Sequence, residues 1–98
     1  MKFVQIMEFQ TARIDEMMAL DTKWRDQTEG KRTATAMTVT QDRDRPGTYV
    51  WMIEFPSYEA AMRNNDLPET QQISEEMMKI ADGPPAFRNL DVIEQRDL

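Results

Sequence analysis

The alternation of apolar and polar side chains marks out four extended segments, separated by stretches with helical spacing. Within residues 2–9, Phe3, Met7 and Phe9 share one parity while Val4 and Ile6 share the other. Such a strand is apolar on both faces, as a central strand covered on both sides should be. From Ala12 to about Glu29, Ile14, Met17, Met18 and Trp24 fall on one helical stripe, with Arg13, Glu16, Lys23 and Asp26 mostly outside it. Thr11 is placed to cap this helix and Gly30 to stop it. Residues 33–40, TATAMTVT, alternate small with large side chains and are rich in β-branched residues, which predicts a second strand.

The polar run QDRDRPGT follows, and Pro46-Gly47 suits the central positions of a type II turn, whose twist fits a longer loop better than a tight hairpin. The third strand, Tyr49 to Phe55, sends Tyr49, Trp51, Ile53 and Phe55 one way and Val50 and Met52 the other. Ser57 is the expected cap of a short helix with Tyr58, Ala61 and Met62 on its inner stripe and Asn64-Asn65 near its end. Asp66 and Glu69 have capping-box spacing with Pro68 in the first turn, so a further helix starts there. It buries Ile73, Met77 and Ile80 and stops at Gly83, before Pro84-Pro85. Residues 86–94 alternate as a fourth strand.

Strand, helix, strand, strand, broken helix, strand is the order of a split βαβ unit. Its compact solution with short, right-handed connections is an α+β, ferredoxin-like βαββαβ sandwich, residues 1–98 forming a single domain. The antiparallel sheet then runs four, one, three, two in space, with the helices on one face. The two strands that are apolar on both sides become the two central ones. Their second face would expose more apolar surface than monomers usually do, and a second copy related by two-fold symmetry is the expected cover.

Charge and composition then remove function classes. The 98 residues carry a net charge of −6, which disfavours nucleic acid and anionic membranes as partners. There is no cysteine and no histidine, so thiolate chemistry, Cys-ligated zinc, the common neutral-pH base and the common haem ligand are all missing. No metal site is expected. The N-terminus alternates like a strand rather than a signal peptide, and no run of about 20 apolar residues occurs; the expected location is cytoplasmic.

The runs YVWMIEFPSYEAAMRNNDLPET and DGPPAFRNLDV carry a resemblance to the dimeric α/β-barrel superfamily, in which two such sandwiches join their sheets into one barrel. The second run is similar to small actinobacterial-type members of unassigned role. That superfamily includes cofactor-free monooxygenases, haem enzymes, isomerases, stress-response barrels and ligand-sensing domains, and a shared fold does not choose among them. The missing histidines set aside the haem-ligating members. What remains resembles the antibiotic-biosynthesis monooxygenases, in which substrate and oxygen do most of the chemistry and no cofactor is needed. The resemblance implies an asparagine, a tryptophan and an arginine in a cleft between sheet and helices. Asn64, Asn65 and Arg88 match in kind; neither Trp24 nor Trp51 lies at the position of the family's helical tryptophan.

Arg88 is expected beside Glu8. It either holds a substrate oxyanion or forms a partly buried ion pair that fixes the sheet. Glu8 would be the nearest base, weakened by that arginine. Asn64 and Asn65 either donate to a substrate oxygen or satisfy the frayed helix end. Trp24, Trp51, Tyr49, Phe87 and Met62 line an aromatic, adaptable pocket or pack the core. Glu54 is expected near Lys2. The reading is a homodimeric, cofactor-independent enzyme of the monooxygenase type acting on an electron-rich aromatic or enolic substrate. The alternative is a non-catalytic dimeric barrel that binds a small apolar ligand or serves in regulation or assembly.

Overall fold

A computed structural model describes residues 1–98. The elements are β1 (Phe3–Gln10), α1 (Ile14–Gln27), β2 (Ala36–Gln41), β3 (Thr48–Phe55), α2 (Tyr58–Asn65), α3 (Pro68–Ile80) and β4 (Ala86–Asp91). The sheet is antiparallel throughout, in the order β2-β3-β1-β4, and the helices lie on one face, so the chain has the expected ferredoxin-like fold. No helix is long and apolar enough to cross a membrane.

Register assigns each side chain to a face. β1 pairs Phe3 with Phe55, Met7 with Trp51 and Phe9 with Tyr49, and these pairs lie under the helices. Phe3 and Phe55 pack with Ala60 and Ala61 of α2. Phe9 and Trp51 pack with Met17 of α1, with Met77 and Ile80 of α3 against them. The Phe9 and Trp51 rings meet edge to face with centroids 5.2 Å apart. Burial of side chains this large stabilises by about 1.5–3 kcal/mol each.

The opposite face carries Val4, Ile6, Val50 and Met52 at its centre, all partly exposed. Ion pairs stand at the two ends of these strands, Lys2 with Glu54, as the sequence predicts, and Glu8 with Arg45.

Several local expectations are corrected. Helix α1 is capped at Arg13 without a side-chain bond. Thr11 instead is buried, accepts from the Arg13 N–H at 3.0 Å and donates to the Ile80 carbonyl at 2.7 Å, tying the end of β1 to the end of α3. Ser57 does cap α2, accepting from the Ala60 N–H. The capping box at Asp66 does not form: Leu67 is the N-cap of α3, and Asp66 closes α2. Strand β2 begins at Ala36 because Thr33 turns aside to bond the Ala60 carbonyl. Strand β4 ends at Asp91, three residues short of the predicted end at Glu94. Tyr58 is half exposed rather than inward, its ring set edge-on against Phe3.

Candidate functional site

A cleft of about 530 Å³ opens between the helix-side face of the sheet and the helices α1, α2 and α3. Trp51 and Ile53 of β3 and Met7 of β1 supply its floor, because alternate residues of both strands point to this face. Helix α2 delivers Asn64 on the same inner stripe as Ala60 and Ala61. Asn64 is 4% exposed, and its Oδ1 accepts the Thr33 N–H at 3.3 Å. Its oxygen is thereby committed to the scaffold, which leaves the amide nitrogen, a donor, for anything in the cleft. Asn65 lies beside it at the rim.

Trp24 stands on the α1 wall. Its indole N–H donates to Thr70 Oγ1 at 2.8 Å, and the Arg32 guanidinium lies 5.9 Å from its ring centre. The ring is thus held from both sides. Trp51 differs. It is 2% exposed, and its Nε1–H has no acceptor within the protein and no contact with solvent.

Of the residues expected in the site, the structure brings together Asn64, Asn65, Trp24, Trp51 and Phe87. Arg88, Tyr49 and Met62 lie elsewhere. Register sets Arg88 opposite Ile6, on the face that no helix covers, because its neighbour Phe87 points into the cleft and successive strand residues face opposite ways. The expected Arg88–Glu8 pair does not form; Glu8 meets Arg45 at 3.3 Å instead. Tyr49 stacks on Phe9 at the end of the sheet, and Met62 packs on the Phe3 and Phe55 cluster.

Asp21, which the sequence reading did not single out, also lines the cleft. It sits on the buried stripe of α1 between Met17 and Trp24, 5% exposed, with Arg25 Nε 3.1 Å from Oδ2. Burial raises its pKa above the ordinary aspartate value, and the Arg25 and Arg32 charges offset this only in part. A polar residue at i+4 from Met17 on an otherwise apolar stripe was the available signal. The only other charged residue lining the cleft is Glu75; no lysine or arginine does. No three side chains among His, Cys, Asp and Glu gather closely enough to hold a metal ion.

No protein-family model matches the sequence, and neither does any curated protein. Solved structures do. A cofactor-independent oxygenase from Streptomyces nogalater, SnoaB, superposes with a TM-score of 0.80 at 10% identity, over 96% of this chain and 95% of that one. Rv0793 from Mycobacterium tuberculosis gives 0.80 at 14% identity, over 99% and 100% of the two chains. An antibiotic biosynthesis monooxygenase gives 0.74 at 17% identity, over 96% and 100%. At such identities the likeness establishes the architecture alone: this chain has the ferredoxin-like fold that these solved structures share.

Proposed function

We propose that the protein is a homodimeric, cofactor-independent small-molecule enzyme that oxidises an electron-rich aromatic or enolic substrate in the helix-side cleft. The observation that carries this reading is the cleft itself, large enough for a fused-ring ligand and lined by two tryptophans and two asparagines on a fold shared with SnoaB. The substrate would supply its own reducing electrons. Loss of a proton gives a conjugated carbanion, dioxygen oxidises it, one oxygen atom enters the product, and the other leaves as water with the two hydrogens removed from carbon. The protein's part is to hold the ring between Trp24 and Trp51, to donate from the Asn64 amide to the substrate oxygen as negative charge builds there, and to keep out bulk water. Asn65 serves as a second donor at the rim.

The second copy would cover Val4, Ile6, Val50 and Met52, with the Lys2–Glu54 and Glu8–Arg45 pairs as a polar rim around that apolar centre. Arg88 belongs to this half of the proposal rather than to the chemistry.

The test is oxygen uptake with anthrone. Wild type and Arg88→Ala are expected to consume oxygen at equal rates, and Asn64→Ala is expected to be slower by about ten-fold or more. Uptake no faster than in buffer, with anthrone nevertheless bound, would favour the alternative: a ligand-binding barrel without turnover. The observation on its side is that the cleft holds no cation to stabilise an oxyanion.

A further inference from the structure

The proposed chemistry begins with loss of a proton from carbon, and a group in the cleft must receive it. The chain has no histidine or cysteine, and no lysine or tyrosine lines the cleft. Two carboxylates do, Asp21 and Glu75. Glu75 is exposed to bulk water, whereas Asp21 is 5% exposed, on the inner stripe of α1 three residues before Trp24, which forms this wall of the cleft. A carboxylate offers about four acceptor positions. Arg25 is the only hydrogen-bond donor to this one, with Nε 3.1 Å from Oδ2. A buried carboxylate thus lines the cleft with most of its accepting capacity unused.

We infer that Asp21 is the base of the reaction, taking the substrate's proton on the carboxylate lone pairs that Arg25 leaves free. This deepens the proposed function and rests on the cleft being where the substrate binds. The C–H bond breaks, its proton passes to Asp21, and its electron pair moves toward the conjugated carbonyl, leaving an enolate whose oxygen accepts from the Asn64 amide. Dioxygen then adds to the same carbon, and the Asp21 carboxyl returns its proton to the terminal oxygen of the peroxide. As the O–O bond breaks, the second C–H proton joins the departing hydroxide as water and the carbon becomes a carbonyl. Burial raises the pKa of Asp21, which makes it a stronger base than a solvated aspartate; Arg25 and Arg32, the cations that act on it, favour the ionised form.

The experiment is hydrogen–deuterium exchange at the methylene of anthrone in deuterium oxide under nitrogen, followed by proton NMR, with binding measured alongside by calorimetry. Without oxygen the enolate is simply reprotonated, so exchange reports proton removal alone. Wild type is expected to speed exchange over buffer, and Asp21→Asn to lower that enzymatic rate by about a hundred-fold or more with anthrone still bound. Arg25→Gln separates a base from a structural ion pair. It keeps the carboxylate, so exchange should persist, with its pH midpoint moved upward because the neighbouring cation is gone. Unchanged exchange in Asp21→Asn, or exchange in Arg25→Gln as low as in Asp21→Asn, overturns the inference. If Asp21→Asn does not fold, the Arg25→Gln midpoint decides, and an unmoved midpoint overturns it. Anthrone bound to wild type without exchange above buffer overturns the role of Asp21 and leaves the proposed oxidation to be judged by oxygen uptake. Failure of anthrone to bind overturns the cleft reading, and the inference with it.

Discussion

The two faces of the sheet draw on the same strands and similar residues, yet they are finished differently. On the helix side, Phe3, Phe9, Trp51 and Phe55 are almost fully buried, each against a specific helix. On the other side, Val4, Ile6, Val50 and Met52 lie partly open, and Leu90 on the edge strand is 43% exposed. Large aromatic rings fill the uneven space under crossing helices and leave a cleft where three helices diverge. Small branched and thioether side chains make a flatter surface, suited to meeting another sheet about 10 Å away. Apolar content alone therefore does not say which face has its cover within the chain; side-chain size does.

The largest effect expected from this contrast is in stability. Phe55→Ala should cost about 3–5 kcal/mol by loss of contacts and creation of a cavity, whereas Leu90→Ala on the other face should cost under about 1 kcal/mol in dilute solution. Urea unfolding of the two variants checks it, and similar losses would erase the distinction. Next comes association. Met52→Glu sets a charge at the centre of the proposed interface on both copies and should weaken the dimer by about a hundred-fold or more in sedimentation experiments, since like charges brought together cost several kcal/mol. Anthrone binding should persist. Loss of ligand together with the dimer would mean that the faces are not independent.

A smaller effect belongs to Asn64. Truncation to Ala strands the Thr33 N–H that its Oδ1 accepts, costing about 1 kcal/mol of stability, measurable by the same unfolding series. The smallest concerns Asp21. Its folded pKa is raised by burial, so the folded state holds the proton more tightly than the unfolded chain. Wild-type stability must then fall as pH rises from the ordinary value of 3.8 through the elevated folded one. Asp21→Asn removes that dependence: the variant should gain on wild type as pH rises through this window, and the gap should close again below it. A gap that widens toward acid would show that the Arg25 pairing, not burial, dominates.

Much of the architecture was legible because periods of two and of helical spacing are strong along β1, α1 and β3, and because the order of elements admits few short, right-handed connections. The helix starts were less legible. Arg13 and Leu67 cap without side-chain bonds, so no capping side chain marks them, and Pro68 in the first turn of α3 is the local signal that remains. The site was half legible. Trp24, Trp51, Asn64, Asn65 and Phe87 line one cleft, but Phe87 and Arg88 are adjacent strand residues and must face opposite ways. Strict alternation alone forbids the two from sharing one cleft. Asp21 was concealed by its type, since a carboxylate on a surface helix is ordinarily solvated, and only its place on the stripe with Met17 and Trp24 marks it as inward.

The proposed division of the sheet into a ligand face and an association face can be tested at the methionines, which stand on both. Met7, Met37 and Met77 line the cleft, and Met52 lies on the uncovered face. In a proton–carbon correlation spectrum of methyl-labelled methionine, anthrone is predicted to shift Met7, Met37 and Met77 and leave Met52 in place, while dilution shifts Met52 alone. Anthrone moving Met52 with the three cleft methionines unchanged would contradict the account.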